Sequence, residues 1–160
     1  MGILEDFNKV INHKDTVQLA ITKKLRIKGI SLEVVDTSGD SSSTFYSSFY
    51  RLNDVAMNKV GTLRLFYYGK IVSVELNLRR TMFKNFYHKE FSAVLDLVVS
   101  CLEELSYKPL VPTEQVKNVN RVMSYLEDKN YHNSGQYLIK VSSIREIVNR
   151  TRRRDGITCI

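Results

Sequence analysis

Cationic side chains are the residues whose type and spacing point most directly to chemistry in this sequence. Arg145, Arg150, Arg152, Arg153 and Arg154 fall in a window of ten residues opposed only by Glu146. Guanidinium groups meet phosphate oxygens in bidentate pairs, so such a cluster can hold a phosphodiester backbone without reading its bases. A second set, Arg79, Arg80, Lys84 and Lys89, is interleaved with Phe83, Phe86 and Tyr87. Cations alternating with aromatic rings can stack bases or dock on headgroups, although the two phenylalanines can equally close a core beneath the cations. A third set, Lys24, Arg26 and Lys28, alternates with Leu25 and Ile27, which on a strand projects all three onto one face. The expectation is a polyanion-binding surface built from Arg79, Arg80, Lys84 and the five C-terminal arginines, with Lys24, Arg26 and Lys28 as a secondary basic face. The plainer alternative for the arginine tail, from about residue 149, is a solvated chain end.

Catalytic and metal-binding patterns are missing. The glycines form neither a dinucleotide fingerprint nor a phosphate loop, and no nucleophile elbow occurs. His13, His88 and His132 are far apart, and Cys101 and Cys159 have no ligand spacing, so no metal, cofactor or catalytic residue is expected. His88 beside Glu90 can form an acid–base pair, but a solvated helix start accounts for it as well. The sequence therefore favours a protein that is not an enzyme, while a site assembled from distant residues stays open.

The 160 residues fit one domain with a real core, and 43% apolar with 26% charged residues is an ordinary globular balance. A net charge of +7 and a pI near 9.4 make nucleic acid, nucleoprotein or an anionic membrane surface the natural partners, with homo-oligomers as a further expectation. Many small basic proteins have no such partner. No apolar run approaches the ~20 residues that cross a bilayer. The opening MGILEDFNKV lacks a basic stretch before an apolar block, so a secreted protein is not expected. Gly2 invites myristoylation, but Asp6 stands where Ser or Thr is favoured. Two unpaired cysteines suit a reducing compartment, cytoplasm or nucleus.

The elements that must position these residues are legible in places. TLRLFYY (62–68) and IVSVELNL (71–78) flank Gly69-Lys70, a two-residue loop suited to a type II′ turn. The register then pairs Tyr67 with Val72, Leu65 with Val74 and Leu63 with Leu76, with an apolar face on one side and a mostly polar one on the other. Residues 87–106 carry Phe91, Val94, Leu95, Val98, Cys101, Leu102 and Leu105 at helical spacing, a stripe that covers the hairpin. A strand is expected across about 24–36 with a bulge at Gly29, and another at 45–52. The polar run 36–44 reads as a loop, solvated or modulated by phosphorylation. Pro109 and Pro112 read as loop punctuation. Thr113 reads as the cap of a helix bearing Val116, Val119, Val122, Met123 and Leu126, followed by a strand at 136–144. The fold class is α+β: a small, largely antiparallel sheet with helices packed on one face, in a single domain of 1–160.

The run Leu78-Arg79-Arg80-Thr81-Met82-Phe83, preceded by VSVELN, resembles the central region of rhabdovirus matrix proteins over about 30 residues. That resemblance implies self-association, nucleocapsid binding and attachment to anionic inner leaflets, with no catalytic residues. The chain departs from that family in having no proline before Pro109, where the family carries a proline-rich N-terminal arm. Taken together, the sequence is read as a non-enzymatic basic binding protein for nucleic acid or nucleoprotein. A matrix-like structural protein and a small enzyme with an unseen site are the alternatives.

Overall fold

At Gly69 the chain reverses with φ +62 while Lys70 keeps a negative φ, the pattern a type II′ turn requires. The computed structural model describes residues 16–38, 45–116, 119–133 and 135–140. Strands β3 (Lys59–Tyr68) and β4 (Ile71–Leu78) leave this turn in the expected register, with Tyr67 opposite Val72, Leu65 opposite Val74 and Leu63 opposite Leu76. All six side chains are buried. Upstream, β1 (Ser31–Ser38) and β2 (Phe45–Asn53) extend the same antiparallel meander, with a register shift between Val34 and Asp36. Helix α2 (Arg80–Phe83) and a 3-10 turn at Lys84–Phe86 lead into α3 (Tyr87–Glu104). α3 buries Phe91, Val94, Leu95, Val98 and Leu102, the stripe its spacing predicts.

α3 is also a crossover. A parallel strand pair needs a long connection, and α3 supplies it between β4 and the parallel strand β5 (Lys108–Pro112). A second 3-10 turn (Thr113–Gln115), α4 (Val119–Glu127), β6 (Tyr131–Asn133) and β7 (Tyr137–Lys140) follow. The strand order is β1-β2-β3-β4-β5-β7-β6, antiparallel except at β4–β5. The helices cover one face of this sheet, as the α+β class requires. The other face shows Arg64 lying over the Phe49 ring at 4.5 Å, with Thr62, Ser73 and Glu75 beside it. Among the described residues no helix is long and apolar enough to cross a membrane.

Three sequence expectations are corrected. Helix α1 spans residues 16–27, so positions 24–27 are its last turn and not the start of a strand, and β1 begins only at Ser31 after a left-handed Gly29. Val17, Ile21 and Leu25, each fully buried, recur at helical spacing, and burying that stripe outweighs the short Leu25/Ile27 alternation. Pro109 and Pro112 lie in β5 rather than in a loop. Thr113 opens the 3-10 turn without capping a helix, and Val116 is buried in extended conformation outside α4. The expected strand at 136–144 is present as β7, and positions beyond 140 lie outside the described residues.

Candidate active site

The site grows from one missing donor. The Lys108 amide donates to the Lys70 carbonyl at 2.8 Å, so the even-numbered amides of β5 face β4. Pairing runs through Ile71↔Lys108, Val72↔Pro109 and Ser73↔Leu110 and stops there. The next donor in that series belongs to position 112, a proline with no N–H to give. Pro109 faces the other way, where no ladder bond is lost. β4 continues to Leu78, so from the Val74 carbonyl onward its β5-side edge has no strand partner among the described residues. The two parallel strands form a fork whose open end points to the start of α3.

On the open sheet face, at the point where pairing stops, lies a cleft of about 920 Å³. Ile71 and Ser73 of β4, Leu110 and Pro112 of β5, and Tyr68 and Tyr137 from the flanking strands line it. Thr113 and Glu114 of the 3-10 turn and the Gly135–Gln136 backbone close one side. The Thr113 amide donates to the Gln136 carbonyl at 2.8 Å, which holds that turn against the β6–β7 connection. Glu114 is the one charged side chain in the lining. A carboxylate beside two phenol rings suits an organic cation, which both charge and ring faces attract. The same carboxylate can accept a proton from a bound amine.

At the open end of the fork, cations gather around a histidine. A guanidinium can only donate, so at 3.4 Å Arg80 Nη2 donates to His88 Nε2, which leaves the neutral ring's proton on Nδ1. Nδ1 is buried without a hydrogen-bond partner among the described residues. Partial burial lowers the His88 pKa, and the Arg80 and Arg121 charges lower it further. Arg80 also lies over the Tyr87 ring at 5.3 Å. The first turn of the 18-residue α3 adds its amide dipoles at the same place. Two arginines and a helix start form a setting for an anion. Just ahead of α3, Lys84 sits at φ 49 and ψ −119, a strained conformation for a residue with a side chain.

The residues singled out from sequence are scattered. Arg79, Arg80 and Lys84 are exposed where the chain leaves β4. Phe83 packs against the core, whereas Phe86 is 70% exposed and does not. The secondary basic face is corrected: Lys24, Arg26 and Lys28 belong to α1 and its end, not to a strand. Lys24 is bonded to Glu104 at 2.9 Å and Lys28 to Glu90 at 3.0 Å, so α3 carboxylates neutralise two of the three. Arg145, Arg150, Arg152, Arg153 and Arg154 lie outside the described residues. Glu114, Tyr68, Tyr137, Pro112 and Arg121 were not found from sequence. Only Pro112 carried a signal, a proline interrupting an otherwise apolar run.

No family model matches the chain, and no curated protein does. Among solved structures, a dodecameric spermidine N-acetyltransferase from Vibrio cholerae aligns at 10% identity and a TM-score of 0.44, over 70% of this chain and 91% of its own. A GNAT-family acetyltransferase from Staphylococcus aureus aligns at 12% identity and a TM-score of 0.39, over 54% of this chain and 52% of its own. The Vibrio cholerae spermidine N-acetyltransferase in complex with CoA and spermine aligns at 13% identity and a TM-score of 0.39, over 58% of this chain and 62% of its own. This chain thus spans about half the length of the Staphylococcus aureus protein. These matches correct the functional expectation. The structures named here are acetyltransferases, whereas the sequence reading expected a non-enzymatic binding protein for nucleic acid or nucleoprotein. At 10–13% identity, the chemistry of this chain is read from its own residues.

Proposed function

We propose that this chain is a group-transfer enzyme that holds an extended, anionic acyl donor along the β4–β5 fork and an amine acceptor in the adjoining cleft. One observation carries the reading: the strand ladder ends at Ser73↔Leu110, and the cleft opens at those same residues. A donor with amide groups can complete the unpaired edge of β4 as an added strand does. Its phosphorylated end then reaches Arg80, His88 and Arg121. No glycine lies between Leu78 and Tyr87, so side-chain cations and the α3 start would meet the phosphates there.

Glu114 holds the acceptor's ammonium; after that ammonium has given one proton to solvent, Glu114 takes a second from the nitrogen as it attacks the acyl carbon and later returns it to solvent. For a thioester donor the carbon–sulfur bond breaks, the nitrogen keeps the acyl group, and the thiolate is protonated by water.

The test uses coenzyme A, acetyl-coenzyme A and spermine. Calorimetry is expected to show coenzyme A binding, and thiol release is expected to depend on the amine. Glu114→Gln is expected to slow transfer by roughly 10²–10⁴-fold while leaving coenzyme A affinity unchanged. Absence of both coenzyme A binding and amine-dependent thiol release sinks the reading.

A further inference from the structure

Four cations, Lys23, Lys24, Arg26 and Lys28, stand at the end of α1, and α3 carboxylates neutralise Lys24 and Lys28. Arg26 is one of the other two. It is exposed, and it has no ion pair among the described residues. It lines a groove of about 310 Å³, whose lining shares no residue with the cleft, between the end of α1, the start of β1 and the β2–β3 connection. Thr22, one helical turn before Arg26, and Ser31 at the start of β1 supply hydroxyls to the same groove. Its other walls are apolar: Ile30, Leu32, Val55 and Met57.

The connection that carries Val55 and Met57 is built rigidly. Asp54 Oδ1 accepts the Ala56 amide at 2.9 Å and the Asn58 amide at 2.8 Å, and the Met57 amide donates to the Asp54 carbonyl at 3.0 Å. Met57 adopts a left-handed φ of 64. Yet this fixed turn presents Val55 at 88% exposure and Met57 at 61%. Large apolar side chains held out by a preorganised turn, beside an unpaired guanidinium, call for a ligand that covers the first and neutralises the second. The one acidic group in the groove, Asp54, is occupied by its own turn, and Asn58 Nδ2 lies 3.4 Å from its other oxygen.

We infer that this groove is a second binding site, separate from the proposed active site, for a small amphipathic carboxylate. The carboxylate pairs with Arg26, with Thr22 and Ser31 as further donors, and the aliphatic tail lies against Ile30, Val55 and Met57. Its volume falls at the lower end of small-molecule sites, which suits a medium-chain acid rather than a larger ligand.

The experiment is an amide-resolved NMR titration of the full chain with octanoate, octanamide and octylammonium, all below their aggregation limits. Octanoate is expected to shift the amides of Gly29, Ile30, Ser31 and Val55 saturably. Octanamide is expected to bind at least tenfold more weakly, and octylammonium not at all. Arg26→Gln, on an exposed helical position, is expected to erase the preference for octanoate over octanamide. Val55→Ser, at a site that contributes nothing to the core, is expected to weaken both. Equal affinity for the three probes, shifts spread over the buried core, or an Arg26→Gln protein that still prefers octanoate each overturns the inference.

Discussion

Lys84 is the residue at which stability and binding pull in opposite directions. Its φ of 49 with ψ −119 is glycine territory, yet the chain places a lysine there, at the approach to α3. Lys84→Gly is expected to stabilise the fold by about 1 kcal/mol, the strain relieved less the added flexibility of the unfolded chain. The same change is expected to weaken coenzyme A binding, measured by calorimetry alongside thermal melting. His88 makes a pH-dependent counterpart. Its pKa is lowered in the free protein by burial and then by the Arg80 and Arg121 charges, so an anion that draws those guanidiniums to itself raises the His88 pKa and binds more tightly as pH falls from 7 through 6.5 and below. Inorganic sulfate, whose charge is constant in this range, is the probe, and His88→Gln is expected to flatten the profile. Stability runs the other way. A neutral His88 favours the fold above the unfolded pKa near 6.5, and that contribution is lost as pH falls toward the lowered folded value.

Among the elements, the fork rests on Pro112. Pro112→Ala restores the amide that can reach the Val74 carbonyl. The new bond adds about 1 kcal/mol, and the freer unfolded chain removes a comparable amount. The melting temperature is therefore expected to hardly move, while coenzyme A affinity falls because the gap has narrowed by one ladder bond. Gly61 acts on the other edge of β4. A Cβ there would collide with the Asn77 carbonyl oxygen and the Leu78 side chain. Gly61→Ala is expected to cost about 2 kcal/mol in denaturant unfolding and to disturb the exit toward Arg79 and Arg80. The sequence made β3, β4 and α3 legible because turn chemistry, alternation and helical spacing agree there without help from distant contacts. The last turn of α1 was misread because Leu25 belongs to two periodicities, Val17/Ile21/Leu25 and Leu25/Ile27, and only burial decides between them. The cleft was not legible at all. Tyr68, Ser73, Leu110, Glu114 and Tyr137 are brought together by a parallel pairing that no local pattern announces.

Over the whole molecule, the net charge of +7 gives an anionic donor a long-range attraction toward a surface where Arg79, Arg80, Lys84 and Lys89 remain exposed. Stopped-flow association of coenzyme A is expected to slow as ionic strength rises from 0.01 to about 0.15 M, where screening shortens to roughly 8 Å. The ion pairs of Lys24 and Lys28 are surface pairs, and each contributes no more than about 1 kcal/mol. The order of pairing along the sheet also has a kinetic meaning. β1 to β4 join through successive antiparallel neighbours, so their contacts close short loops and can form early. β5 reaches β4 only after α3 has been laid down, over three register positions, and β7 holds β5 over two. Hydrogen exchange is expected to find the β2–β4 amides opening only near global unfolding, while Leu110 and Leu138 open at lower free energy. The fork is thus expected to assemble after the β1–β4 meander and to come apart before it, so a weakened variant would lose the proposed acyl transfer while most of its fold still stands.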